Sequence, residues 1–434
     1  MSKKPDPGQP LARTLGLWGA VATGIGSIVG TGVFVSLGVA AGVAGPALLI
    51  ALALAAGVAI CNGLNSAQLA AVHPVSGGAY EYGYRLLNPT LGFTAGWSFM
   101  LAKAASAATA ALGFGGYLLH LLGMDSSLVI PFGLGAVVIL TAIVMAGMKR
   151  TTPANVVIVS ATFLALAAFV IIGLPNSFGA RPDVSFFESP TGESPVRGLL
   201  HATALMFVAY TGYGRIATLG EEVKDPAHTI PRAVIITLGL TMVLYMGVAF
   251  VGIWAFGAAN LAAATDETAA PLEAAARHFG PPWLPVVVAV GAVTAMLGVL
   301  LNLLLGLSRV LLAMGRRRDA PAFLERVSKR TGAPTMATLV VGVGIAALVL
   351  IGDVRTTWSF SAFSVLIYYS ITNLAALKLT ANERRYPRWL AWLGLAACVF
   401  LAFWVDVWVW VIGLGVVAAG VAINAAVRHL RTSA

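Results

Sequence analysis

Apolar runs long enough to cross a lipid bilayer follow one another along nearly the whole chain, and the charged residues collect in the short stretches between them. About 20 apolar residues in a helix cover the roughly 30 Å of hydrocarbon in a bilayer. The 434 residues are 59% hydrophobic and 10% charged, whereas soluble domains carry about 25% charged residues. A water-facing surface cannot be built from that supply, so the predicted fold class is all-α integral membrane. Twelve transmembrane helices are predicted, over 15–41, 45–68, 91–122, 127–147, 154–174, 196–218, 233–257, 284–312, 335–351, 357–378, 388–405 and 407–427. The last pair follows from length. Residues 389–427 are almost continuously apolar, and as one helix they would reach about 58 Å, twice the hydrocarbon thickness. The run must fold back, and Asp406 between Trp404 and Trp408 marks the turn, with both indoles suited to the membrane interface.

The basic residues set the orientation. Of the 27 Lys and Arg residues, 21 fall on the two termini and the loops after even-numbered spans, and four fall on the opposite loops. Loops rich in Lys and Arg stay in the cytoplasm, which predicts a multi-pass protein of the cell membrane with both termini cytoplasmic. The net charge of +10 is then a property of these loops and not a sign of nucleic-acid binding. The N-terminal segment is polar and shows no cleavage site after a short apolar core, so the first run is read as retained. The predicted layout is a cytoplasmic tail over 1–14, a five-helix unit over 15–174, a second over 196–378, a helix hairpin over 388–427 and a tail over 428–434. Residues 270–278 read as a short external helix lying over the bundle. Cys61 and Cys398 sit in apolar runs and give neither a disulfide framework nor a metal-ligand spacing. No HExxH, paired acidic motif or Ser/His/Asp cluster indicates an enzyme, and no ring of charges indicates a channel.

Two spans carry helix-breaking residues where a site belongs. Gly24, Gly26, Gly30 and Gly32 crowd the middle of span 1, and Gly212 and Gly214 lie past the middle of span 6. Small residues also serve close helix packing. Yet spans 1 and 6 are equivalent positions if spans 1–5 and 6–10 are inverted repeats, because an odd number of helices turns the second copy over. Interrupted helices in matching positions of two halves point to a transporter's binding site. A broken helix bares N–H groups at the start of its second half and C=O groups at the end of its first. A carboxylate suits the former, an ammonium the latter, and a zwitterion both.

Four stretches in order along the chain resemble signatures of the amino acid–polyamine–organocation superfamily of permeases. They are GSIVGTGVF at 26–34, PVSGGAYEYGYRLLNPTLGFTAGW at 74–97, FVAYTGYGRIATLGEEVKDPAHTIPRA at 207–233 and GLSRVLLAMGRRRDAPAFLERVSKRTGAP at 306–334. The resemblance implies the LeuT-type five-plus-five inverted repeat with two further C-terminal helices. It implies a secondary active transporter that moves a small amino acid or related amine by alternating access, coupled to protons. Exchange of substrates is the alternative reading, and a non-transporting sensor a further one. By position, amides around Gly30, Thr31 and Gly32 would receive a carboxylate. Carbonyls of Phe207, Ala209 and Tyr210 would receive an amino group, and Tyr210, Thr211 and Tyr213 would line or cap the pocket. The implied partners are the substrate and the bilayer, with no cofactor beyond the coupling proton, no metal and no required oligomer. Two departures stand out. Gly214 occupies a place where some members have an acid, and Thr162 one where many proton-coupled members have a lysine.

Charges inside the spans are few. Lys103 lies in span 3 on a face shared with Ala107, Ala110 and Phe114. A charge at a helix centre costs about 2.5–3.5 kcal/mol, and a lysine removed from water gives up its proton more readily. Lys103 is read as a coupling or substrate-sensing cation, against the alternative that it reaches out to the cytoplasmic interface. Arg215 is read as pairing with Glu221 or Glu222. Thr294 and Asn302 lie on one stripe of span 8 with Gly298 and Gly306 and are candidates to border the site. His201 and His120 are candidates for a pH response.

Overall fold

The computed structural model describes residues 15–73, 78–147, 152–178, 180, 182–217, 223–328 and 330–432. The predicted tail 1–14 and the residues Glu221 and Glu222 lie outside the described residues. Among those described, the regular elements are helical and read α1 Leu17–Ile28, α2 Thr31–Phe34, α3 Ser36–Ala44, α4 Leu48–Val72, α5 Ala79–Tyr82, α6 Pro89–Leu122, α7 Val129–Met145, α8 Thr152–Ser177 and α9 Pro195–Tyr210. They continue as α10 Gly214–Ala217, α11 Pro226–Ala255, α12 Ala258–Thr268, α13 Pro271–Phe279, α14 Leu284–Arg316, α15 Thr335–Val349, α16 Val354–Leu377, α17 Arg388–Ala402 and α18 Val407–Thr432. Eight helical runs are long and apolar enough to cross a membrane, and Leu17–Ile28, Thr335–Val349 and Arg388–Ala402 are shorter apolar helices. The chain is a multi-pass membrane protein.

Local chemistry explains where these helices start and stop. Asn88 opens α6 by accepting from the Leu91 amide at 2.8 Å, and Pro89 takes the first helical position. Asp353 opens α16 by accepting from the Arg355 and Thr356 amides, both at 2.9 Å. Between α3 and α4 the chain turns at Gly45, whose φ of +54° favours glycine. A Cβ there would also lie 2.2 Å from the Glu188 carbonyl oxygen. Pro46 then begins the next turn.

Helix α6 is the central element, packed between α14 and α16. Helices α1 and α9 lie against α11 and α4 respectively. The side chains facing away from this centre are apolar, among them Val138, Leu164, Ile171 and Val243. In water such a surface would be an aggregation liability, whereas in lipid it is the solvated face. Trp408 beside the α17–α18 turn is 78% exposed. The segment after 427, read from sequence as a tail, continues as helix to Thr432. It is held by Arg428, whose guanidinium donates to Asp319 at 2.9 Å, while Tyr80 and Tyr84 donate to the same carboxylate at 2.6 Å.

Candidate functional site

The first expected span is divided. Helix α1 ends at Ile28, Val29 and Gly30 are extended, and α2 begins at Thr31. The sixth differs from expectation. Instead of opening, α9 tightens at Tyr210 into a 3₁₀ turn over Thr211–Tyr213 and resumes as α10. Close approach of the two backbones explains the difference. A Cβ on Gly212 would lie 2.3 Å from the Ser27 carbonyl oxygen, and one on Gly32 would lie 2.5 Å from the Ala209 Cβ. Gly32 and Gly212, which sequence reading takes as breakers, act here by admitting a neighbouring backbone.

A cavity of about 60 Å³ lies beside this crossing. Ser27, Ile28, Thr31 and Gly32 line it from the first span, Val208, Ala209, Thr211 and Gly212 from the sixth, and Lys103 and Ser106 from α6. Val299, Leu303 and Trp358 complete it. Lys103 does not reach for the interface, since its Nζ donates to Thr211 Oγ1 at 2.9 Å. Thr211 Oγ1 in turn donates to the Val208 carbonyl at 2.8 Å. Thr31 Oγ1 is buried with no hydrogen-bond partner among the described residues. No carboxylate is among the lining residues.

The other expected site residues lie behind this lining. The missing Cβ of Gly30 points at Val299. Phe207 packs edge-on against Tyr369 at 5.5 Å, Tyr213 lies 5.6 Å from the same ring, and Tyr210 lies 5.3 Å from Tyr245. Thr162 belongs to a second, much smaller cavity of about 10 Å³ on the other side of the α1 break, with Gly26, Val29, Ile158, Val159, Phe163 and Ala295. Its hydroxyl donates back to the Ile158 carbonyl at 2.8 Å. Span 8 presents a stripe one residue removed from the expected one: Ala295 faces the second cavity, and Val299 and Leu303 face the first. Thr294 instead bonds back to Val290 and Gly291 of its own helix.

Tyr245 is a residue that sequence reading missed. Its hydroxyl lies 3.0 Å from the carbonyl of Ile28, the last residue of α1, and 3.4 Å from that of Ala209. One phenol therefore serves the carbonyl ends of both crossing helices. Tyr245→Phe leaves the Ile28 carbonyl buried without its donor, which costs about 1–3 kcal/mol. A lower thermal unfolding midpoint in detergent is expected, and an unchanged midpoint would assign the bond no stabilising role. A phenol amid apolar residues, in line with Thr237 and Thr241 at four-residue spacing, was the available signal, since such groups need partners in hydrocarbon. Trp358 was also missed. Its Nε1 donates to the Leu205 carbonyl at 3.0 Å, which fixes the indole at the cavity wall.

The two histidines have carboxylate partners outside the cavity. His120 Nδ1 lies 2.7 Å from Glu273 Oε2, on the short helix α13 that sequence reading placed over the bundle. Burial works to raise the Glu273 carboxyl, but the hydrogen bonds and charges of His120 and Arg277 hold it below the usual carboxylate range. His201 Nδ1 lies 3.0 Å from Glu193 Oε1. The expected pairing of Arg215 falls on Glu221 and Glu222, outside the described residues.

Comparison with known proteins agrees with this architecture. The family model described as amino acid permease matches residues 19–430. A protein of Mycobacterium tuberculosis named only as an uncharacterized transporter is 42% identical over 418 residues, covering 95% of this chain and 91% of the relative. A cationic amino acid transporter of Arabidopsis thaliana is 28% identical, over 85% of this chain and 62% of its own length. A branched-chain amino acid permease of Bacillus subtilis is 27% identical, over 87% and 83% respectively. These relatives are named as transporters and permeases, not enzymes. The match runs through the divided first span, the Lys103 helix and the C-terminal hairpin alike, and the chain belongs to the amino acid permease family.

Proposed function

We propose that this permease is a proton-coupled secondary transporter of small neutral amino acids, working by alternating access in the cell membrane. In this reading the chain crosses the bilayer twelve times with both termini in the cytoplasm. Its first ten spans form two inverted five-helix repeats, followed by the α17–α18 hairpin. The observation that carries the reading is the cavity at the crossing of α1–α2 with α9, bounded by Lys103 and by no lining carboxylate. The first amides after Gly30 stand outside the helical ladder and suit a carboxylate. The carbonyls at the end of α1 and of α9 suit the ammonium. Ile28, Val208, Val299, Leu303 and Trp358 leave an apolar space for the side chain.

A cationic side chain would face Lys103 without a counter-charge, and burying an unpaired charge is costly. The branched-chain permease is therefore the better guide to cargo than the cationic transporter. Purified protein in proteoliposomes should take up radiolabelled valine, leucine or alanine, with arginine and lysine failing to compete. Preferential uptake of arginine would overturn the substrate assignment. An inward proton gradient should speed uptake into vesicles that hold no substrate. Uptake confined to vesicles preloaded with amino acid would replace symport by exchange. Lys103, the titratable side chain among the residues lining the first cavity, is the group at which such coupling would act.

A further inference from the structure

The N-terminal end of α9 carries a cluster that the transport cycle does not use. His201 lies two turns before the cavity residue Val208, about 10 Å along the helix. Its ring is 1% exposed, and Nδ1 faces Glu193 Oε1 at 3.0 Å. Nε2 is buried with no hydrogen-bond partner among the described residues, and Glu193 Oε2 likewise accepts no hydrogen bond. The third member comes from the far end of the sequence. Asp406, in the turn between α17 and α18, brings its carboxylate to this place. One ligand atom from each of Glu193, His201 and Asp406 lies within 4.8 Å of the other two.

We propose that Glu193, His201 and Asp406 form a transition-metal site of the zinc class, which fastens the start of α9 to the α17–α18 turn. The donor set decides the class. One imidazole and two carboxylates suit zinc and its first-row neighbours, whereas magnesium and calcium prefer oxygen donors throughout. Zinc ligands at about 2.0–2.2 Å in a tetrahedron stand about 3.4 Å from one another. The Glu193–His201 pair stands 3.0 Å apart, somewhat closer than that spacing, so a bound ion would part it slightly and draw the Asp406 carboxylate inward. Three protein ligands leave a fourth position for water. Arg197 and Arg355 are the competing cations around Glu193; Arg197 Nε lies 3.4 Å from Glu193 Oε2, but its side chain is 42% exposed and can turn to solvent. In the proposed topology the site faces outside, where it meets external metal. A bound ion would link the helix that lines the cavity to the peripheral hairpin and so oppose movement of α9.

The full-length protein, stripped with chelator and held in detergent, is titrated with zinc chloride by calorimetry and by thermal unfolding. Saturable binding near one equivalent and a raised midpoint are expected, with magnesium chloride giving neither. Asp406→Asn and Glu193→Gln keep the shape of the side chain and should each weaken zinc binding by at least about 10-fold. Wild-type protein without saturable binding at micromolar zinc overturns the proposal, as do both variants binding zinc like the wild type. The binding arm does not depend on transport, so it stands or falls separately from the assigned cargo. In proteoliposomes, external zinc should slow uptake by the wild type and leave Asp406→Asn uptake unaffected.

Discussion

Replacing Lys103 by methionine is expected to weaken substrate binding by about 100-fold, or about 2.7 kcal/mol, while leaving the substrate-free protein as stable as the wild type or more so. The two effects have opposite signs because they have different origins. Lys103 sits in the middle of α6, and its Nζ meets one neutral partner, Thr211 Oγ1 at 2.9 Å. No carboxylate lines the cavity around it. A charge so placed costs about 2.5–3.5 kcal/mol in a helix centre, and a hydroxyl offsets part of that cost. A substrate carboxylate would supply the missing counter-charge, since a hydrogen bond to a charged group contributes about 1.5–3 kcal/mol. Methionine removes the charge, keeps the unbranched stem and asks for no partner. Ligand-induced thermal shifts and uptake measure the first effect, and the unfolding midpoint without ligand measures the second. A purely structural lysine would give the reverse pattern, a less stable protein that still transports. Lys103→Arg should keep part of the affinity, because the guanidinium preserves the charge at a different geometry.

The parts legible in sequence and the parts hidden from it divide along physical lines. Long apolar runs placed most of the helices to within a few residues, because hydrocarbon leaves the backbone no alternative to satisfying itself, although α11 begins at Pro226, ahead of the expected 233. Helix α6 was expected over 91–122 and runs Pro89–Leu122, and the hairpin turn was expected at Asp406 and lies between Ala402 and Val407. The division of the first span at Gly30 was equally open to reading, since Gly24, Gly26, Gly30 and Gly32 crowded into its middle mark unusual backbone. The sixth span was harder. Its glycines could announce either a gap or a close approach, and only the position of the Ser27 carbonyl decides between them. The cavity-facing stripe of α14 was misplaced by one residue because an almost wholly apolar helix carries no mark of which face meets a pocket. Threonine and asparagine drew the reading toward Thr294 and Asn302, yet Val299 and Leu303 line the cavity. Glu193 and His201 lie eight residues apart, but Asp406 comes from a turn near the far end of the chain, and no spacing rule connects it to them.

The tight contact at Gly212 makes the second large prediction. Gly212→Val is expected to abolish uptake and to lower the unfolding midpoint sharply. A Cβ at this position would lie 2.3 Å from the Ser27 carbonyl oxygen and 2.5 Å from its carbon. Both atoms belong to backbone, so no side chain can swing aside to relieve the clash. Overpacking in a close-packed interior costs about 1–3 kcal/mol, and more where backbone must shift. The shift here would part the first and sixth spans at the place where they jointly form the cavity. It would also draw Ile28 and Ala209 away from the single hydroxyl of Tyr245 that reaches both their carbonyls. Gly212→Ala should show the same loss in a milder form, since the first added carbon already makes the clash. Gly57→Ala and Gly239→Ala are the matched controls: both positions lie within helices, and an added Cβ meets nothing within 4 Å. Alanine there should leave uptake intact and raise stability slightly, through its better helix propensity. Thermal unfolding in detergent and uptake in proteoliposomes read all four variants. Wild-type behaviour of Gly212→Val would mean that the two spans do not cross as closely as this geometry requires.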